Sequence, residues 1–392
     1  MSKTIGTPEG TRDRLFAECA SFRQVEDAVT EVFRRQGYCE MTTPNVEYYD
    51  AISAAGHPLP QEAMMKIVDR TGKILVMRPD CTVAMGRVAA TKLTGLPLPL
   101  RLYYNQMVFR SDDVNTGARS EIDQCGVELI GAKGLRGDLE VLSMAIAALD
   151  ACGLTDYHIE IGHAGYFGAL VEALGLEPEQ QERLRRLAEA KEFTTYRSVL
   201  RPYGDSPAGQ ALLALPRLFG GPEVLTQAKG LCGDSQASEV LEYLETLYQV
   251  LEQAGLSGRV QFDLGLIHTI EYYTGMVFRG YSRGAASNVL SGGRYDKLIG
   301  RFGQEIPATG FALDVEAVAS CLDTPEHQRP ETLVYYGLPY LGHARRLVAQ
   351  QPPGTAMLSS GETPEEAKKE AEQLGARRLY LLDEQGQREV SL

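Results

Sequence analysis

Gln124, Gly126 and Glu128 share one face if Glu121–Gly131 forms a strand, because alternate strand side chains point the same way. That face would present an amide, a gap and a carboxylate, with Gly126 leaving room for a ligand to lie against the sheet. Tyr273 opens a second expected strand after Tyr272, and Glu271, two residues earlier, falls on the same side as Tyr273. Taken alone, the first triplet reads as an ordinary strand and the tyrosine pair as packing. No metal site is expected. His158 and His163 are five apart in or beside a strand, a spacing that does not present two ligands together. The seven cysteines are scattered and never spaced as CxxC, which fits reduced thiols in the cytoplasm.

The elements that must hold these residues are legible from periodicity and turn chemistry. Phe22, Val25, Val29, Val32 and Phe33 repeat at helical spacing before Gly37. Gly37–Pro44 reads as a strand ended by proline. Met65–Asp69 and Ile74–Arg78 flank a turn-forming Arg70-Thr71-Gly72-Lys73. Arg101–Arg110 and Glu121–Gly131 are two antiparallel strands, 136–151 is a helix, and Tyr157–Ile161 is a strand. From 165 to 255 the chain is almost entirely helical, and Glu179–Arg186 is a solvated helix face. Strands return at Val260–Leu266 and Tyr273–Tyr281, and Val315–Leu322 is helical. After a polar linker at 324–330, residues 331–392 alternate β-α-β-α-β, which implies a small three-layered α/β domain. Its second helix opens on Thr363-Pro364-Glu365-Glu366, a capping box.

A chain of 392 residues exceeds one ordinary core, so two or three domains are expected. The hydrophobic fraction of 44% with 23% charged residues is that of a folded soluble protein. No apolar run approaches a membrane span, and the polar start does not resemble a secretory signal. The net charge of −13 lowers the expectation of nucleic-acid binding without excluding a local basic patch.

Several ordered motifs resemble the class II aminoacyl-tRNA synthetases, and histidyl-tRNA synthetase in particular, from about residue 6 to 320. Thr7-Pro8-Glu9-Gly10-Thr11-Arg12-Asp13 is similar to that family's opening. Gly37-Tyr38 with Glu40, Pro44 and Glu47 resembles motif 1, which supplies the dimer interface. Asp69-Arg70-Thr71-Gly72 and Met77-Arg78-Pro79-Asp80-Cys81-Thr82 resemble the hairpin and the strand that binds histidine. Phe109-Arg110 through Gln124-Cys125-Gly126-Val127-Glu128 resembles motif 2. Glu271-Tyr272-Tyr273-Thr274-Gly275 and Ser291-Gly292-Gly293-Arg294-Tyr295-Asp296 resemble the two signatures peculiar to the histidine enzyme, and Gly310-Phe311-Ala312-Leu313 begins motif 3. The resemblance implies an α+β fold: an antiparallel sheet flanked by helices within 1–323, a helical insertion at about 165–255, and a truncated anticodon-binding-like domain at 331–392. It also implies a histidine site formed by Asp80, Thr82, Arg110, Gln124, Gly126, Glu128, Glu271, Tyr272 and Tyr273.

The chemistry of adenylation is not implied. Cations must stabilise charge developing on the transferring phosphate. Where the family has arginines, Leu266-Ile267-His268-Thr269-Ile270 carries His268, and Asp314-Val315-Glu316-Ala317 carries Ala317. The motif 2 loop, Ser111 to Ser120, leaves Arg119 out of register. Each missing cation would cost about 3 kcal/mol of transition-state stabilisation. This combination resembles the regulatory subunits of short-form ATP phosphoribosyltransferases. The expectation is therefore a cytoplasmic, non-catalytic subunit without cofactor, metal or tRNA. Its partners would be L-histidine, itself as a homodimer, and the short-form catalytic subunit in a hetero-octamer. A working histidyl-tRNA synthetase, a paralogue that adenylates another substrate, and a ligand-free scaffold remain as alternatives, which histidine-dependent ATP–pyrophosphate exchange and histidine binding separate.

Overall fold

The structure is a computed structural model describing residues 6–54, 60–111, 119–232, 236–266, 272–323 and 330–392. His268, Glu271, residues 112–118 of the motif 2 loop and residues 324–329 of the linker lie outside the described residues. The chain divides into two compact units, residues 1–14 with 21–323, and residues 15–20 with 324–392.

In the first unit, α1 (Ala17–Arg35) buries Phe22, Val25, Val29 and Phe33 along one stripe. The strand expected over Gly37–Pro44 shrinks to the two-residue β1 (Cys39–Glu40). The physical reason lies just beyond it, where the carbonyls of Thr43 and Pro44 accept from the buried Arg78 guanidinium instead of a strand neighbour. Next come β2 (Val46–Tyr48), α2 (Tyr49–Ala54), and the hairpin of β3 (Lys66–Val68) with β4 (Ile74–Met77). The Asp69 carboxylate closes that hairpin by accepting from the Thr71 and Lys73 amides. Strands β2, β4 and β3 form a small sheet.

After α3 (Thr82–Thr91), the long pair β5 (Leu100–Phe109) and β6 (Glu121–Ile130) runs antiparallel in full register. Then follow α4 (Gly134–Ala151) and β7 (Tyr157–His163). Residues 164–253 supply α5 (Ala164–Ala173), α6 (Pro178–Glu189), α7 (Phe193–Leu200), α8 (Pro207–Ala214), a short β8 (Phe219–Gly220), α9 (Glu223–Cys232) and α10 (Gln236–Gln253). The unit closes with β9 (Val260–Asp263), β10 (Met276–Ser282), β11 (Leu290–Arg294), β12 (Ala308–Asp314) and the short α11 (Val315–Ala319). Its main sheet has nine strands in the order β1-β5-β6-β12-β11-β10-β7-β9-β8, antiparallel except for β1 with β5 and β7 with β9.

Alternation along β6 separates two interiors. Cys125, Val127 and Leu129 pack with α1 and α4 on one face. Ile130 joins Tyr104, Met85, Tyr272 and Tyr295 on the other, the face toward which Gln124, Gly126 and Glu128 also point.

The expected strand start at Tyr273 moves to Met276. Tyr272 and Tyr273 lie in the preceding turn with ring centroids 5.2 Å apart, an arrangement that successive strand residues, pointing to opposite faces, cannot reach. The expected same-face pairing of Tyr273 with Glu271 falls on a residue outside the described ones.

The second unit holds β13 (Thr332–Tyr336), α12 (Leu341–Ala349), β14 (Ala356–Leu358), α13 (Pro364–Leu374), β15 (Arg378–Asp383) and β16 (Gly386–Ser391), with sheet order β14-β13-β15-β16. Leu333, Leu379 and Leu381 pack against α13 on one side, and Val334 and Leu382 against α12 on the other. Thr363 caps α13 by accepting from the Glu366 amide, while the Glu366 carboxylate reaches one residue further back, to the Glu362 amide. The exposed, polar β16 carries too little apolar alternation to be read from sequence.

Candidate functional site

Arg78 is the scaffold for the first part of the site. It is 1% exposed, and its guanidinium donates to the carbonyls of Thr43 (2.9 Å), Pro44 (2.9 Å) and Met107 (2.6 Å). One side chain thus ties the 43–45 segment to β5 and fixes the chain that delivers Asp80 and Thr82. The Asp80 carboxylate accepts from the Val83 amide at 2.9 Å, anchored at the N-terminal turn of α3, where the helix dipole favours negative charge.

Glu128 forms the floor. It is 1% exposed and accepts from the Thr82 hydroxyl at 2.8 Å and from the Tyr295 hydroxyl. Burial pushes its carboxyl up to about 8; the hydrogen bonds from Tyr295 and Thr82 pull the other way, and nearby Asp80 adds to the rise. The ionised form of Glu128 is thus disfavoured by its surroundings, and a bound cation would favour it. Tyr295 in turn packs edge-on to Tyr272 at 5.9 Å, so three tyrosines stand around one carboxyl.

Two glycines shape this floor, and one does so differently from expectation. A Cβ on Gly126 would fall 2.4 Å from the Tyr104 hydroxyl and 2.5 Å from the Phe311 carbonyl oxygen. The gap at Gly126 is filled by the Tyr104 ring, so it does not leave room for a ligand. Gly310 clears the space that matters, since a Cβ there would meet the Glu128 carboxylate at 2.0 Å.

Arg110 and Gln124 belong to a neighbouring cavity of about 510 Å³, which also touches Ser291, Asp314, Glu316 and Ala317. Arg110 hangs its Nε on the Pro79 carbonyl at 3.2 Å. At the far end Ala317 offers only its amide, which donates to the capping Asp314 carboxylate at 3.0 Å. Arg119 lies beside it, bound to Glu316 at 2.8 Å and to Asp314. Arg12 also reaches Glu316, at 3.0 Å. Burial raises the Glu316 carboxyl, but Arg119 and Arg12 outweigh it and hold it below its ordinary range.

The structure therefore brings Thr82, Glu128 and Tyr272 together, with Asp80 beside them and Tyr273 in ring contact with Tyr272. It sets Arg110 and Gln124 on the adjoining wall, and the gap at Gly126 is already occupied. Sequence reasoning missed Tyr295, although it stands inside the glycine-rich Ser291–Asp296 motif, and missed Gly310 at the head of motif 3. A phenol beside a glycine-rich strand was the available signal for the first.

Comparison with known proteins extends these observations. Residues 10–318 match the sequence profile of the histidyl-tRNA synthetase family. The ATP phosphoribosyltransferase regulatory subunit of Clostridium kluyveri is 41% identical over 336 residues, covering 84% of this chain and 86% of that protein. The chain belongs to the ATP phosphoribosyltransferase regulatory subunit family. The corresponding subunit of Bacillus cereus is 33% identical over 87% of this chain and 82% of that one. Among solved structures, an ATP phosphoribosyltransferase regulatory subunit/histidyl-tRNA synthetase from Bacillus halodurans superposes with a TM-score of 0.83 at 31% identity, covering 94% of this chain and 96% of that one. Histidyl-tRNA synthetase from Nostoc sp. PCC 7120 shares the fold, with a TM-score of 0.78 at 19% identity over 99% of this chain and 97% of that one. These likenesses make the fold class α+β of the class II synthetase type. The two sequence relatives carry the name of a regulatory subunit and not that of a synthetase.

Proposed function

We propose that this chain is the non-catalytic regulatory subunit of ATP phosphoribosyltransferase. It binds L-histidine at Asp80, Thr82, Glu128, Tyr272 and Tyr273, with Arg110 and Gln124 on the adjoining wall, and thereby confers feedback inhibition on a short-form catalytic subunit. The observation that carries this reading is a contrast in charge. Glu128 is buried, hydroxyl-bonded and poised to meet a cationic group, whereas Arg119 at the other end is consumed by Asp314 and Glu316. An amino acid could be recognised here, but among the described residues an activated phosphate would find too little free positive charge.

Regulation follows from linkage. Histidine must bind the inhibited assembly more tightly than the active one, and the coupling is reciprocal. The small sheet supports self-association: Val46, Tyr48 and Ile67 form an exposed apolar face on β2 and β3, in the region resembling motif 1. The assembly is a hetero-octamer built on such homodimers and works in the cytoplasm. In support of a soluble role, no helix among the described residues is long and apolar enough to cross a membrane. The C-terminal domain at 331–392 is a truncated relative of the anticodon-binding domain, without a tRNA role.

The deciding experiment is phosphoribosyl-ATP formation by a short-form catalytic subunit, with and without this chain, across a histidine titration. Activation that becomes histidine-sensitive is expected. No effect of the chain, together with histidine-dependent ATP–pyrophosphate exchange, would overturn the reading in favour of a synthetase.

A further inference from the structure

Behind the main sheet, α4 and the C-terminal end of α10 enclose an open groove of about 650 Å³ that none of the site residues touches. Its walls are apolar, with Leu139, Leu256 and the 37%-exposed Val250 among them. Its lip is basic. Arg101 is matched by Glu140 in a bidentate pair at 2.7 and 2.9 Å, but Lys133 and Arg136 are exposed and have no carboxylate partner among the described residues. They stand at the start of α4, whose first turn carries no acidic residue. A helix N-terminus favours negative charge, so two cations placed there are electrostatically unsatisfied. On a chain of net charge −13 this is a local reversal of sign.

The groove is also wired to the Glu128 pocket. The Arg294 guanidinium donates to the carbonyls of Ala132 and Gly134, each at 3.0 Å, and so grips the backbone on both sides of Lys133. It pairs with buried Asp138 on α4, and Asp138 accepts from the Tyr243 hydroxyl on α10. One ion pair thus braces both walls. The next residue, Tyr295, donates to Glu128.

We propose that this groove docks an acidic, partly apolar surface segment of the catalytic partner, and that Arg294, Asp138 and Tyr243 couple its occupancy to the Glu128 pocket. The proposal rests on the regulatory reading above. A second copy seated groove to groove, with the two-fold axis passing between them, would bring the basic lips of the two copies together, which like charges oppose. A small anion fits poorly as well: the walls are apolar, and among the described residues no buried, unpartnered polar side chain lines the groove.

The test uses the full chain and a short-form catalytic subunit, with association followed by sedimentation velocity. The double variant Lys133→Glu/Arg136→Glu should associate at least tenfold more weakly, and wild-type association should weaken as salt rises. Its histidine affinity in isolation, by calorimetry, should stay within twofold of wild type. Tyr243→Phe should still associate, but with a smaller ratio between partner affinities measured with and without histidine. Unchanged association of the double variant overturns the docking site. So does inorganic phosphate binding that the double variant loses while association persists. An unchanged ratio in Tyr243→Phe overturns the coupling. If the wild-type chains do not associate at all, the regulatory reading itself fails, which is a distinguishable result.

Discussion

The Glu128 pocket and the Ala317 cleft share one sheet face but handle charge in opposite ways. Around Glu128 there is one buried carboxyl, two hydroxyl donors and an aromatic wall, so negative charge is suppressed until something cationic arrives. Around Ala317 the charges are plentiful and already spent, with Arg12 and Arg119 paired to Asp314 and Glu316. The proposed histidine site is thus the one where a carboxyl is held by hydroxyls alone and, among the described residues, meets no protein cation. In the Ala317 cleft the protein's own side chains neutralise one another.

The largest effect should come from Glu128. Glu128→Ala removes the acceptor of two hydroxyls and should weaken histidine binding on the order of a hundredfold, about 2–3 kcal/mol, as read by calorimetry. Glu128→Gln should also lose affinity yet stabilise the ligand-free protein. The sign follows from linkage. Burial pushes the folded carboxyl up to about 8 from its ordinary 4.5 in the unfolded chain, so the stability associated with the protonated group is present below 4.5 and is lost as pH rises to about 8. Urea denaturation at pH 8 should therefore find the Gln variant more stable by up to about 4 kcal/mol, with the gap closing toward pH 4.5. A variant less stable than wild type at pH 8 would break the account of that pocket.

Tyr295→Phe is a smaller perturbation. Removing its hydroxyl should cost about 1 kcal/mol of histidine affinity and raise the Glu128 carboxyl further, because that bond lowers it. In the wild type, proton release on binding should make affinity climb with pH up to about 8 and then level. Calorimetry in buffers of different ionisation enthalpy would detect the released proton. The smallest expected effect sharpens the other side of the comparison. Ala317→Arg should yield no histidine-dependent ATP–pyrophosphate exchange, since it restores one cation while the other arginine position of the family still carries His268. Exchange from that single change would show that the cleft lacks only one charge.

Local patterns carried much of this into the sequence. The alternation of β6, the Asp69 turn and the cap at Thr363 depend on neighbours a few residues away, and they read correctly. Contacts across long separations did not. Arg119 meets Asp314 across 195 positions, and Tyr295 meets Glu128 across 167, so no spacing rule could pair them. Tyr272 and Tyr273 mimicked a strand because aromatic residues suit strands, but their mutual packing needed a turn. Gly126 looked like an opening because the ring that fills it, Tyr104, comes from the adjacent strand.

The three tyrosines around Glu128 have an optical consequence. The chain has no tryptophan, so tyrosine emission is not drained into indole or hidden beneath it. Tyr295 donates to the Glu128 carboxyl, so a change in the ionisation of that acceptor is felt at its phenol. With 19 tyrosines in the chain the pocket supplies only part of that emission, and histidine binding there should be read as a change in this part, without any attached dye.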